Sequence, residues 1–292
     1  MSQQLKFVCI GSQKAGTTSF HDILVQHPKV GLPHHKETQF FVDDAQYQKG
    51  LNYYFNYHFK GIKNDAVLGE VNPQFCYVEE AANRLKDNFE RLKVIMIVRN
   101  PVDRAFSHYQ MTQRRGLEKL SFEEALRKEK DRLIDAHGHL HFSYADRGMY
   151  TDQINRYEEL FGQENLMVIL FEDFVKSTPE VMKEVCDFIE IPQFDFNFDI
   201  QSNQASESRS KWLRDFLYRP SLLKKFLGKL LMSQKVRDNV AQKLDKANLK
   251  SGKKERLDSV TKKNIYEQYF TEEIAKLEKI LQKDLSAWKN YE

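Results

Sequence analysis

The sequence predicts an α/β fold, in which a parallel sheet is flanked by helices within a single domain. Short apolar runs alternate along the chain with longer segments whose apolar residues recur at helical spacing. Two of the apolar runs lead directly into a turn that opens a helix, which is the arrangement of a parallel α/β sheet. A chain of 292 residues is long enough to bury one such core.

The predicted strands are short apolar runs bounded by polar or turn-forming residues. The run at residues 92–98 is apolar at every position except Lys93, as expected of a strand that is buried on both faces of a sheet. Strands are predicted at residues 5–10, 29–32, 66–70, 92–98 and 165–170.

The predicted helices rest on apolar spacing and on start signals. Pro101 suits the first turn of the helix after the strand at 92–98. Thr178, as a cap before Pro179 and Glu180, marks another start. Helices are predicted at residues 16–27, 77–89, 101–115, 121–134, 147–161, 178–190 and 261–283, and residues 191–210 are predicted to form the longest loop.

A phosphate-binding loop is predicted where the first strand ends. Residues 11–18 read Gly-Ser-Gln-Lys-Ala-Gly-Thr-Thr and join that strand to the first helix. Glycines let backbone N–H groups approach an anion closely, and the helix N-terminus adds partial positive charge. We therefore expect a P-loop-type fold, with donor contacts from Ser12, Gln13, Lys14, Ala15, Gly16, Thr17 and Thr18.

The position of the lysine in this loop argues against ATP hydrolysis. In the loop of nucleotide triphosphatases a lysine follows the second glycine. Here Gly16 is followed by Thr17, and the lysine is Lys14. The loop therefore favours a different phosphate-bearing donor.

Arg99 and Ser107 form a second candidate anion site. Arg99 directly follows the strand at 92–98, at the edge where open α/β sheets bind ligands, and Ser107 lies in the helix after it. A guanidinium fork and a hydroxyl suit a terminal phosphate monoester. A magnesium-dependent triphosphatase would prefer an Asp after such a strand, to hold the metal.

These two blocks resemble the donor-binding signatures of sulfotransferases that use 3′-phosphoadenylyl sulfate (PAPS). Residues 36–41 (Lys-Glu-Thr-Gln-Phe-Phe) resemble the Lys-Glu-x-x-x-Phe segment of heparan sulfate and related carbohydrate sulfotransferases. Residues 69–75 resemble their Gly-Glu-Lys-Thr/Ser-Pro-x-Tyr segment, and residues 269–288 their closing helix. The resemblance covers most of residues 5–190 and the C-terminal segment, and it implies a PAPS-dependent enzyme that requires no metal.

The resemblance also implies roles for single residues. Lys14 would stabilise the charge that develops on the leaving phosphate, and Arg99 with Ser107 would hold the 3′-phosphate. Glu37 would be the general base that accepts the proton of the acceptor. Without the resemblance, Glu37 reads as a surface carboxylate paired with Lys36. His35 is an alternative base, whereas His108 reads as a packed residue.

Two departures from the family pattern stand out. Val71 occupies the place of the lysine in the Gly-Glu-Lys segment, so Lys14 either acts alone or needs a substitute, and a heparan-like acceptor is less favoured. The late Lys-Gly-Arg donor loop has no clean copy. Arg209, within Ser-Arg-Ser-Lys, is the nearest candidate for a further 3′-phosphate contact.

The segment 209–263 is strongly basic, with 17 Lys and Arg against 5 Asp and Glu. Apolar residues at helical spacing in 220–232 indicate an amphipathic helix, which could pack over the sheet. A lid at 205–260 that attracts an anionic acceptor or contacts a membrane surface peripherally is the alternative. In this layout a donor-binding core at 5–190 comes first, the lid region at 205–260 follows, and a closing helix at 261–288 ends the domain.

The composition of the chain bears on the compartment in which the protein is expected to work. No apolar run reaches the length of a membrane span, and the N-terminus lacks a signal pattern. Cys9, Cys76 and Cys186 are widely spaced in apolar contexts, which predicts buried thiols and a reducing, cytoplasmic compartment. Family members of the Golgi carry an anchor and a stem, so the resemblance implies a bacterial-type soluble enzyme without a nucleic-acid partner.

The predicted activity is sulfuryl transfer from PAPS to a hydroxyl, or less favourably an amine, of a carbohydrate or small metabolite. A P-loop kinase for a small molecule and a non-catalytic nucleotide-binding scaffold are the alternatives. The aromatic run at 53–59 fits either sugar stacking or a core under a loop. Neither the acceptor nor the oligomeric state follows from the sequence.

Overall fold

The computed structural model describes residues 4–199 and 255–289, together with the backbone of two short strands between them. A five-stranded parallel sheet forms its centre, in the order β2-β3-β1-β4-β5, which confirms the predicted fold class. The strands are β1 (Phe7–Gly11), β2 (Val30–Gly31), β3 (Val67–Val71), β4 (Lys93–Val98) and β5 (Leu166–Leu170). The separate pair, β6 (Ser206–Ser208) and β7 (Leu249–Ser251), is antiparallel.

Helices cover both faces of the sheet. Their bounds are α1 Thr17–Leu24, α2 Asp44–Tyr47, α3 Gly50–His58, α4 Glu79–Asn88, α5 Pro101–Arg114, α6 Phe122–Arg127, α7 Glu129–Arg132, α8 Ala136–His141, α9 Tyr150–Phe161, α10 Phe171–Lys176, α11 Thr178–Phe188, α12 Ser259–Ile265 and α13 Thr271–Leu281. Short 3₁₀ turns lie at Asp146–Gly148, Gln163–Asn165 and Ser286–Lys289, and a π turn at Tyr266–Phe270 joins α12 to α13.

The central strand β1 divides the core into two layers. Val8 and Ile10 pack into the larger apolar cluster, with α3 to α6, α9, α12 and α13, whereas Phe7 and Cys9 pack into the other, with α1, α10 and α11. This alternation follows from the two-residue period of a strand. Gly69 on β3 makes room for Phe7, because a Cβ there would lie 2.2 Å from its ring. This close contact lets β3 pack against the start of β1.

One predicted helix was wrong in its extent. The segment 121–134 forms two short helices, α6 and α7, which meet at Lys128. The buried carboxylate of Glu129 accepts hydrogen bonds from the backbone of Ala145 and Asp146, both at 2.8 Å, and this long-range anchoring turns the chain. A capping box between Ser121 and Glu124 starts α6.

The C-terminal helix also differs from its prediction, because it begins at Ser259 and contains the π turn. Helices α2, α3, α8 and α10 were not predicted. Thr178 is the first residue of α11 and not its cap. The prediction of buried thiols is confirmed, since all three cysteines are buried and free.

Some predictions lie outside the described residues. Arg209 and the amphipathic segment 220–232 belong to this group, as does most of the predicted lid at 205–260. Within the described ranges, none of the helices combines the length and apolar character needed to cross a bilayer.

Candidate functional site

The loop between β1 and α1 is attached to the sheet by hydrogen bonds. Both the backbone N–H and the hydroxyl of Ser12 donate to the carbonyl of Ile97 on β4, at 2.7 and 2.9 Å. Gly16 has a φ of 84°, and a Cβ at this position would come within 2.9 Å of the Phe171 ring. The first turn of α1 carries no acidic residue and no side-chain cap, so its N–H groups remain available to an anion.

Lys14 lies in this loop within a cluster of positive charge. Its side chain is half-buried, and its backbone has a φ of 73°. Burial, followed by the charges of Arg114, Arg115, Arg99 and Arg104, lowers the pKa of Lys14 to about 8. An ammonium surrounded in this way is stabilised once a phosphate or sulfate arrives.

Arg99 joins the second predicted block to this loop. Its Nη1 donates to the Lys14 carbonyl at 3.0 Å, and its guanidinium lies 4.9 Å from the centre of the Phe171 ring. The two predicted donor-binding blocks are therefore in direct contact. Ser107 is half-buried in α5, and no side chain or backbone group of the described residues forms a hydrogen bond with its hydroxyl.

Asn100 fixes the start of α5. Its side-chain oxygen accepts hydrogen bonds from the N–H groups of Val102 and Asp103, and its amide nitrogen donates to the Trp288 carbonyl at 3.0 Å. The C-terminal segment thereby packs against the turn that carries Arg99. The segment after β4 and the C-terminal segment, which both resemble the family, are therefore in direct contact.

The loop that carries Glu37 lies beside the phosphate loop. Lys36 Nζ is 3.0 Å from Thr18 Oγ1 and 3.3 Å from Glu37 Oε1. The surface pairing of Glu37 with Lys36 therefore exists, but the same ammonium also contacts the start of α1. The side chain of Lys36 therefore connects the Glu37 carboxylate to the predicted donor site.

The loop is supported by a buried carboxylate that is not among the predicted site residues. Glu70, at the end of β3, is fully buried and accepts hydrogen bonds from Thr38, Tyr54 and Asn72. Burial raises its pKa, while these hydrogen bonds oppose the shift. A glutamate within an otherwise apolar strand was the signal that could have identified it.

A cleft of about 1500 Å³ opens next to Glu37. The aromatic run lies partly in the core and partly at the cleft: Tyr54, Phe55 and Phe59 are buried in the core, whereas Tyr53 and Tyr57 line the cleft and stack at 5.0 Å. Other lining residues are His35, Lys36, Asp43, Tyr77, Glu80, His139 and Asp146. The cleft thus offers both aromatic and polar contacts.

The two histidines considered in the sequence, His35 and His108, lie in different surroundings. His35 lines the cleft, whereas His108 is fully buried against Tyr144. Burial, followed by the charge of Arg104, holds the pKa of His108 well below its usual range. His108 is thus a packed neutral residue, as the sequence suggested.

The position of the missing family lysine is part of the core. Val71 is buried in the cluster that contains Phe20 and Leu24 of α1.

Among residues 4–199 and 255–289, no three or more His, Cys, Asp or Glu side chains are grouped so as to hold a metal ion.

Comparisons with known proteins agree on one family. The model of the family described as "Sulfotransferase domain" matches residues 5–289. The fold resembles a crystal structure of a sulfotransferase from Alicyclobacillus acidocaldarius, with a TM-score of 0.67, 24% identity, and coverage of 99% of this chain and 100% of that one.

Two curated relatives are from Mus musculus. Bifunctional heparan sulfate N-deacetylase/N-sulfotransferase 4 is 30% identical over 66% of this chain and 23% of its own length. Heparan sulfate glucosamine 3-O-sulfotransferase 3B1 is 28% identical over 64% of this chain and 47% of its own. The matches to these two proteins span less than half of each one's length.

Proposed function

We propose that this chain, which belongs to the sulfotransferase family, transfers the sulfuryl group of PAPS to a hydroxyl group of a carbohydrate or another small metabolite. As a member of that family it is a PAPS-dependent sulfotransferase, with PAPS as its co-substrate. The observation that carries the proposal is the bridge of Lys36 between Thr18 and Glu37, which puts a candidate base beside the donor loop. The family match favours this chemistry over the kinase and scaffold alternatives.

On the donor side, the loop residues Ser12 to Thr18 would hold the 5′-phosphosulfate. Backbone N–H groups at the start of α1 would face this anion, and Lys14 would stabilise the negative charge that grows on the leaving phosphate. Arg99 and Ser107 would bind the 3′-phosphate. Since Arg99 also donates to the Lys14 carbonyl, donor binding at one phosphate would help to orient the residue that acts at the other.

On the acceptor side, Glu37 would take the proton of the attacking hydroxyl. A base must lie within about 2.6–3.2 Å of that hydroxyl, and the cleft beside Glu37 gives an acceptor room to approach it. The hydroxyl oxygen then forms a bond to sulfur as the bond from sulfur to the phosphate oxygen breaks. PAP leaves with the electron pair of that bond, and the proton remains on Glu37.

Lys36 can supply the positive charge that is missing because Val71 stands where the family has a lysine. It is the ammonium that contacts both Thr18 and Glu37, so it lies between the donor loop and the base. From there it could stabilise the charge on the transferring group. The family role of the lysine would then be filled from a neighbouring loop.

The acceptor class is tested by incubating the protein with sulfur-labelled PAPS and a panel of acceptors. Neutral oligosaccharides, amino sugars, sulfated glycans and small hydroxylated metabolites should be compared at equal concentrations. We expect label to appear on a carbohydrate or small metabolite carrying a free hydroxyl. Label only on proteins, or on no acceptor in the panel, would contradict the proposed acceptor class.

Lys14 makes donor binding depend on pH. Because its pKa is about 8 in the free protein, Lys14 is mostly neutral at pH 8.5, and the phosphates of PAP should restore its charge. Binding should take up about 0.7 proton per site at that pH, and affinity should fall as the pH rises above 8. Calorimetry in two buffers of different ionisation enthalpy measures this uptake. Lys14→Arg, which keeps its charge, should abolish it; uptake that persists in Lys14→Arg would assign the proton elsewhere.

The 3′-phosphate contacts should differ in strength. Arg99→Ala should weaken PAP binding by roughly 1.5–3 kcal/mol, because a charge-assisted hydrogen bond is lost. Ser107→Ala should cost about 1 kcal/mol, since only a neutral donor is removed. Calorimetric titration with PAP measures both. Unchanged affinity in Arg99→Ala would move the 3′-phosphate site away from the end of β4.

A further inference from the structure

The buried carboxylate of Glu70 forms hydrogen bonds with two different parts of the molecule. Its Oε1 accepts hydrogen bonds from the backbone N–H and the hydroxyl of Thr38, at 3.0 and 2.9 Å, and from Asn72 Nδ2 at 3.2 Å. Its Oε2 accepts a hydrogen bond from the Tyr54 hydroxyl at 2.5 Å. One oxygen therefore holds the loop beside the cleft, and the other is anchored in the core.

The loop held by Glu70 has an uncommon backbone conformation. Glu37 and Gln39, on either side of Thr38, have φ values of 64° and 60°. Residues other than glycine rarely adopt this region, and they persist there only when surrounding contacts fix them. The contacts that fix Thr38 are the two hydrogen bonds to Glu70, and the Thr38 hydroxyl also accepts from the Phe40 N–H at 3.2 Å.

Burial makes these bonds strong. Glu70 is 0% exposed, and in a site without water a hydrogen bond to a carboxylate is shorter and stronger than one between neutral groups. Glu37, which directly precedes Thr38 in the chain, is half-buried and borders the cleft. A fixed Thr38 thus limits where the Glu37 carboxylate can point.

We propose that Glu70 is a positioning residue for sulfuryl transfer: its buried carboxylate holds Thr38 and so aims Glu37 at the acceptor. This rests on the proposed function, in which Glu37 is the base. Glu70 itself touches neither donor nor acceptor. Its contribution acts through the geometry of the loop, and a misplacement of a catalytic group by about 1 Å can cost on the order of 100-fold in rate.

Glu70→Gln and Tyr54→Phe form a matched pair of variants. Glu70→Gln keeps the side-chain volume but removes the charge that strengthens the bonds to Thr38. Tyr54→Phe removes the bond on the core side and leaves the bonds to Thr38 in place. Both should lower the melting temperature, whereas only Glu70→Gln should lower kcat, by roughly 10- to 100-fold, with PAP affinity unchanged.

A double-mutant cycle with Glu37→Gln separates positioning from general destabilisation. If Glu70 acts through Glu37, adding Glu70→Gln to Glu37→Gln should lower kcat no further. Independent, multiplying losses would overturn the inference, as would equal losses of kcat in Glu70→Gln and Tyr54→Phe. A Glu37→Gln protein with normal turnover would instead count against the proposed base, so the two failures can be told apart.

Hydrogen exchange of the PAP-bound protein tests the same point without an acceptor. The Thr38 N–H should exchange at least 10-fold faster in Glu70→Gln than in the wild type, because its hydrogen bond is weakened. In Tyr54→Phe its exchange should remain near the wild-type rate. Unchanged protection of Thr38 in Glu70→Gln would overturn the positioning role.

Discussion

Replacing Glu37 by glutamine should lower turnover by about 10²–10⁴-fold, which is the usual contribution of a general base. The amide keeps the shape of the side chain but cannot accept the acceptor's proton at neutral pH. PAP affinity should stay near the wild-type value, because Glu37 faces the cleft and not the donor phosphates in the proposed arrangement. Steady-state kinetics with an acceptor found by the labelled-PAPS panel, together with a PAP titration, measures both quantities.

Glu80→Gln is the matched control for this variant. Glu80 is an exposed carboxylate that lines the same cleft, so its replacement removes the same charge without removing the proposed base. Turnover in Glu80→Gln should remain within a few-fold of the wild type. Near-normal turnover in Glu37→Gln would move the base to His35, which borders the same cleft, or to the substrate.

Lys14→Ala should lower turnover by about 10²–10³-fold, the range for removing one group that stabilises developing negative charge. It should also weaken PAP binding by roughly 1.5–3 kcal/mol, because in the proposed arrangement the ammonium contacts the donor before and during transfer. The combined loss distinguishes Lys14 from Glu37, whose replacement should affect turnover alone.

Lys29→Ala controls for the loss of a lysine charge. Lys29 is exposed and pairs with Asp65 at 2.6 Å, on the segment that precedes β2. Its replacement should leave both turnover and PAP affinity near wild type. Normal turnover in Lys14→Ala would show that the leaving phosphate is stabilised by another cation, for which Lys36 and Arg99 are the candidates.

The features that the sequence predicted well are those encoded by neighbouring residues. The loop at 11–18 and the junction at Arg99 each lie within one continuous segment, where an apolar strand, a turn and a helix start follow one another. Parallel strands end at the same edge of a sheet, so the contact between Arg99 and Lys14 follows from the fold class. Local patterns therefore predicted that the two blocks of the proposed donor site would lie side by side.

The features that the sequence did not predict depend on distant partners. The role of Glu70 comes from Thr38 and Tyr54, which are 32 and 16 residues away in the chain. The break between α6 and α7 comes from the reach of Glu129 to Ala145 and Asp146. No periodicity within a short window encodes such contacts, because tertiary packing overrides local preference.

The aromatic run shows the same limit within a single helix. Its residues are alike in type, and only the direction in which α3 faces the sheet assigns Tyr54 to the core and Tyr53 to the cleft. The contact of Lys36 with Thr18 is similar, since it joins two loops that follow different strands. That contact suggests a substitute for the family lysine, which the sequence alone left open.

Thermal unfolding with PAP and with ATP–magnesium tests the donor site most directly. A ligand that binds only the folded state stabilises it by RT ln(1 + [L]/Kd), which is about 2.7 kcal/mol at 100 times Kd. PAP should raise the melting temperature clearly, and ATP–magnesium at the same concentration should raise it far less. Arg99→Ala should reduce the shift caused by PAP. A larger shift with ATP–magnesium than with PAP would contradict a PAPS site formed by Lys14, Arg99 and Ser107.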